Sequence, residues 1–124
     1  MASILVGLPR RTAALLRQGA DPHRPDSAGT TPLYLASVQG EAAAARALLA
    51  AGADPDLESG TGEEGLPLCA AACWGHTATV RELLLAGANP NLREDHGTGR
   101  TAAEWAIHGG HHAALALLRE AGAG

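Results

Sequence analysis

Cys69 and Cys73 stand four residues apart, and His108 follows Cys73 by 35 positions. On one short helix the two thiols would share a face, one turn apart. A histidine from the next helix along would complete a three-ligand cluster of the kind that takes zinc. No second cysteine pair accompanies them, however, and Cys69 should point partly inwards. Two small, buried or half-buried side chains fit the pattern better. His108, His111 and His112 also look like a cluster, but Gly109-Gly110 interrupts the helix, so they need not converge. A cysteine nucleophile requires a nearby base, and none is specified. Glu63 and Glu64 are loop neighbours rather than facing carboxylates suited to acid–base work. Nothing resembles a phosphate loop or a nucleophile elbow. The expectation is a chain that is not an enzyme and holds neither metal nor cofactor.

What could such side chains be mounted on? With 124 residues there is room for about one domain. Hydrophobic residues make up 46%, enough for a packed core. The net charge of −4 argues against nucleic acid, whose binders show a basic stripe, and against a polybasic membrane anchor. No apolar run approaches the roughly 20 residues of a membrane helix. The short apolar stretch from Ala2 to Leu8 precedes Arg10-Arg11 instead of following it, and no signal-peptide pattern appears. A cytoplasmic location is expected. Two cysteines are too few for a disulfide scaffold. Alanine occurs 28 times, Lys and Phe are absent, and every base other than His is Arg. That bias points to a GC-rich, bacterial coding sequence.

The chain repeats itself. Gly-Ala, then Asp or Asn, then Pro, occurs at Gly19 to Pro22, Gly52 to Pro55 and Gly87 to Pro90, with a broken copy at Gly122 to Gly124. The steps are 33, 35 and 35 residues. Gly40, Gly75 and Gly110 keep the 35-residue step, as do Ala36, Ala71 and Ala106, and Leu48, Leu83 and Leu118. So many coincidences mean an array of one supersecondary unit.

Each unit reads as two short helices. The first is expected at Pro32 to Val38, Pro67 to Cys73 and Ala102 to His108. The second is expected at Ala42 to Ala50, Ala78 to Leu85 and Ala113 to Glu120. Helices this short are marginal alone, so stacking must hold them. Gly40, Gly75 and Gly110 suit the left-handed turn between the two. Thr31-Pro32 offers a hydroxyl cap before a first-turn proline. Thr101 and Glu104 form a capping box. Leu66-Pro67 lacks a capping oxygen; Glu63 and Glu64 are expected to offset this through the helix dipole.

The pattern resembles ankyrin repeats over nearly the whole chain. The resemblance rests on Asp26 to Ala36, which includes Thr31-Pro32-Leu33-Tyr34-Leu35-Ala36, then on Gly40 and on Leu48 to Pro55. Leu66-Pro67-Leu68-Cys69-Ala70-Ala71 and Gly75-His76 add the second copy. The family's usual His after Thr-Pro-Leu is replaced by Tyr34, Cys69 and Glu104, and Pro-Leu becomes Ala102-Ala103 in the third copy. The implied fold is all-α: a solenoid of helix-turn-helix units joined by finger loops. Residues 1–124 form a single domain with a truncated leading unit at 1–25 and full units at 26–57, 58–92 and 93–124. The leading unit should carry a helix at about Pro9 to Gln18. The apolar ends, with Ile4 to Val6 on one side and Leu115 and Ala116 on the other, invite a partner or a second copy.

The resemblance implies a non-catalytic protein-binding module, acting as adaptor, inhibitor or regulator through a concave groove and the fingers. Val38, Gln39, Cys73, Trp74 and His108 are expected on the groove floor, with Trp74 as the exposed aromatic anchor. Glu63, Glu64, Asp95, His96 and Arg100 would form the rim. The finger acids Asp26, Glu58, Glu63, Glu64, Glu94 and Asp95 favour a basic protein partner. Trp105 takes the position of Leu35 and Ala70 and should be core. Tyr34 should bond back to its finger loop. His76 and His111 follow the turn glycine, where the family uses His structurally. Two rival readings stay open: self-assembly into homo-oligomers through the terminal units, and a small ligand-binding or catalytic pocket near Trp74, Cys73 and His108.

Overall fold

The computed structural model describes residues 31–57, 59, 65–94 and 99–123, and the following statements concern those residues. They form six helices: α1 Pro32–Gln39, α2 Ala42–Ala50, α3 Pro67–Cys73, α4 Thr77–Leu85, α5 Ala102–Gly109 and α6 His112–Glu120. No strand occurs among them. The six expected helices are all present, with ends within one residue of the repeat-based reading. The proposed leading helix and the fingers around residues 26–30, 60–64 and 95–98 lie outside the described residues.

Local sequence explains the starts and stops. Thr31 is extended, and its side chain accepts the Tyr34 N–H, with Pro32 opening α1. Thr101 and Glu104 complete the reciprocal capping box at α5. The turns after α1, α3 and α5 place Gly40, Gly75 and Gly110 at φ near +70°. Leu66 has no capping side chain. Its N–H instead donates to Glu94 Oε2, 3.1 Å away on the next stretch of chain. The expected contribution of Glu63 and Glu64 lies outside the described residues.

Helices pack in two layers. The first helices α1, α3 and α5 lie side by side, and so do the second helices α2, α4 and α6. Between the layers runs one core. Leu48, Leu83 and Leu118 are at most 1% exposed and sit 35 residues apart. Each contributes about 1.5–3 kcal/mol by leaving water. Fully buried Ala36, Ala44, Ala45, Ala71 and Ala72 let the backbones approach closely. The short helices thus gain in stacking what they lack alone.

Two ladders tie neighbouring pairs together. The Thr31 N–H donates to buried Ser59 Oγ at 2.8 Å, the counterpart of Leu66 N–H to Glu94. In the third pair the equivalent Thr101 N–H is met by its own Glu104 Oε1 at 2.9 Å. The second ladder uses histidine. His76 Nε2 lies 3.0 Å from the Val38 carbonyl, and His111 Nε2 lies 3.0 Å from that of Cys73. A carbonyl only accepts, so each ring carries its proton on Nε2. Both histidines serve the structural role the repeat implied.

Among the described residues, the buried polar side chains include one that is left unsatisfied. Thr79 is fully buried, and its Oγ1 has no hydrogen-bond partner. The same register position holds Ala44 and Ala114, both fully buried. Thr79→Val keeps the shape and removes the orphan hydroxyl, so it should stabilise the fold by about 1–2 kcal/mol. Urea unfolding followed by circular dichroism reads this directly; an unchanged or lower midpoint would show that the hydroxyl is satisfied.

Candidate functional site

The late positions of α1, α3 and α5 lie beside one another because these helices do. Val38 is half-buried and Gln39 exposed. Cys73 is half-buried, while Trp74 is 63% exposed. His108 is exposed. The histidine ladder fixes the row from behind, since it binds the carbonyls of Val38 and Cys73 themselves. The proposed rim residues Glu63, Glu64, Asp95 and His96 lie outside the described residues; Arg100 is described and exposed.

Beside this row stands Trp105. It was expected to be core, but it is only half-buried. Leu35 at the same register is half-buried as well, and Trp105 packs against the core while its indole N–H donates to Glu94 Oε1 at 2.8 Å. The Arg100 guanidinium carbon sits 4.9 Å from the ring centroid, a cation–π distance. The His108 ring meets Trp105 edge-on, with centroids 6.4 Å apart. Glu94 thus joins three elements, through the start of α3, the Trp105 ring and its own loop. A finger acid counted towards a basic partner is in fact committed to Leu66 and Trp105. Sequence reasoning missed it. The signal was there: Ser59 and Glu94 are 35 apart, and each lies 28 residues after the capping position that it serves.

The chemistry of the cysteines follows from their surroundings. Cys69 is buried, and its Sγ faces the Arg100 carbonyl at 3.7 Å. Burial pushes the Cys73 thiol above its ordinary value, the Glu94 charge adds to the rise, and Arg100 offsets part of it. A raised thiol is a poor nucleophile at neutral pH. Among the described residues, no group of three or more His, Cys, Asp or Glu side chains could hold a metal ion. Tyr34 is half-buried, and the finger loop it was expected to meet lies outside the described residues. Two shallow hollows lie in the other layer, one beside Arg46, Leu49, Glu82 and Leu85, the other beside Arg81, Leu84, Leu117 and Glu120. Neither gathers a thiol or an imidazole.

Comparison with known families meets this geometry from outside. A family model described as ankyrin repeats (many copies) matches residues 68–119, and one described as ankyrin repeat matches residues 28–59. Together they span more than half of the chain.

The chain belongs to the ankyrin-repeat family.

Ankyrin repeats are generally protein-interaction modules and typically non-catalytic. No curated protein matches this ankyrin chain. Among the described residues of the ankyrin array, no helix is long and apolar enough to cross a membrane. The family accounts for the two-layer stack and the turn glycines. The Glu94–Trp105–Arg100 assembly is a feature of this chain's own side chains.

Proposed function

We propose that this ankyrin array binds another protein through the row Val38, Gln39, Cys73, Trp74 and His108, with Arg100 at its edge. On sequence grounds the finger residues Glu63, Glu64, Asp95 and His96 belong to the rim of the same groove. Trp74 carries the reading. It is a large aromatic, 63% exposed, capping the end of a seven-residue helix whose members are buried or half-buried. Such a side chain gives a partner much contact area at little entropy cost.

The test is a paired pull-down with wild type and Trp74→Ala. An exposed side chain contributes little to folding, so the variant should unfold within about 0.5 kcal/mol of wild type. A partner recovered by wild type should bind the variant about 30-fold more weakly, as for a hot-spot aromatic. Recovery of the same partner with equal affinity by both baits would move the site away from the groove.

A second reading has its own observation. Ile107 occupies the register position of Ala72, which is fully buried beneath α5, yet Ile107 is 58% exposed. Leu115, expected on that end face, is half-buried, and Ala116 is exposed. Self-association through this face would appear as a concentration-dependent mass in solution that Ile107→Glu abolishes.

A further inference from the structure

We propose that Arg100, seated on the Trp105 ring, is the docking point for a partner carboxylate, so that the bound segment pairs acidic with apolar side chains. This rests on the groove reading above and adds the sign of the partner.

The Trp105 ring is held at both ends. Its N–H is fixed by Glu94 Oε1 at 2.8 Å, Glu94 is anchored in turn by the Leu66 N–H at 3.1 Å, and His108 packs edge-on from the other side. A guanidinium resting on a fixed ring keeps its in-plane N–H donors open, and little freedom is left to lose on binding. Those donors match a carboxylate bidentately.

Among the described residues, the carboxylates on either side of Arg100 in the chain are already committed. Glu94 accepts from Leu66 and Trp105, and Glu104 accepts from Thr101 and pairs with Arg93 at 2.8 Å. Arg46 is likewise paired, with Glu82 at 2.7 Å. Among the described residues, Arg100 is left without an acidic partner. The row beside it, Val38, Gln39, Cys73, Trp74 and His108, contains no carboxylate to oppose its charge. The finger acids suggested a basic partner; Arg100 instead offers the edge of this row a cation with no acidic partner among the described residues. Exposed Trp74 on the same row supplies the apolar half of the match.

The experiment is a selection of randomised 15-residue displayed peptides against the full chain, with selected sequences then measured by fluorescence anisotropy. The expected peptides carry Asp or Glu beside an aromatic or aliphatic residue. Arg100→Gln, and separately replacement of the peptide carboxylate by its amide, should each weaken binding about tenfold or more. The two changes together should cost no more than one, because they remove the same contact. Arg81→Gln, on the second-helix layer, should change nothing, and circular dichroism checks that each variant is folded. Basic or uncharged peptides, or acidic ones indifferent to Arg100→Gln, would overturn the proposal while leaving a Trp74-dependent groove intact. Selected peptides indifferent to Trp74→Ala and to Arg100→Gln, or none at all, would overturn both.

Discussion

Glu94→Ala should destabilise the fold by about 2–4 kcal/mol, because it strands two donors at once. The Leu66 N–H belongs to a residue only 4% exposed, and the Trp105 N–H is half-buried. Glu94 is the acceptor that both donors use, Leu66 through Oε2 and Trp105 through Oε1. The conservative change separates charge from connectivity. Glu94→Gln keeps one acceptor oxygen but turns an NH2 group towards one of the two donors, so it should cost about half as much. Urea unfolding of the three proteins gives the ranking wild type, Gln, Ala. If Ala and Gln were equal to wild type, the carboxylate would be a surface ornament, and the platform beneath Arg100 would go with it.

A larger contrast is expected between two glycines with the same backbone. Gly75 and Gly110 have φ of +72° and +71°. A side chain in this left-handed region costs about 1–2 kcal/mol wherever it stands. At Gly110 an added Cβ meets nothing within 4 Å, so Gly110→Ala should cost that much and no more. At Gly75 the same Cβ would lie 2.5 Å from His111 Nδ1. The ring must move, and its bond to the Cys73 carbonyl breaks, which adds about 1–2 kcal/mol. Gly75→Ala should therefore lose about 2–4 kcal/mol, and the difference between the two variants measures the histidine rung. Equal losses would mean that the ring tolerates displacement.

The fold was legible because repetition multiplies weak signals. One glycine is a poor predictor of a turn; Gly40, Gly75 and Gly110 in one register, each followed by a second helix with a central leucine, leave little choice. Helix ends followed from the proline at α1 and α3 and from the capping box at α5. The floor residues followed from the same register, since a late position on α1 stays late on α3 and α5. What repetition could not show was the departure from it. Trp105 stands where its counterparts are Leu35 and Ala70, so the register suggested burial. That position is only half-buried even at Leu35, and the indole N–H, which neither counterpart has, takes Glu94 as its acceptor. Glu94 in turn was grouped with the finger acids because its partners lie 28 residues back and 11 ahead. Local reading carries no term for such pairs.

The hydrogen bonds at the capping positions point one way along the chain. Ser59 and Glu94 each reach back to the helix pair before their own, while Thr101 is met from within its own pair. This makes the gene's tolerance to rearrangement lopsided. An in-frame duplication of 35 residues from the second register carries its own backward-reaching acceptor, so every inserted pair arrives already served. Excision of the stretch from Glu94 onward would strand Leu66, uncover Cys69 and Ala72, and leave the preceding pair with an apolar wound. Unequal recombination would then lengthen such an array more readily than it trims it from that side.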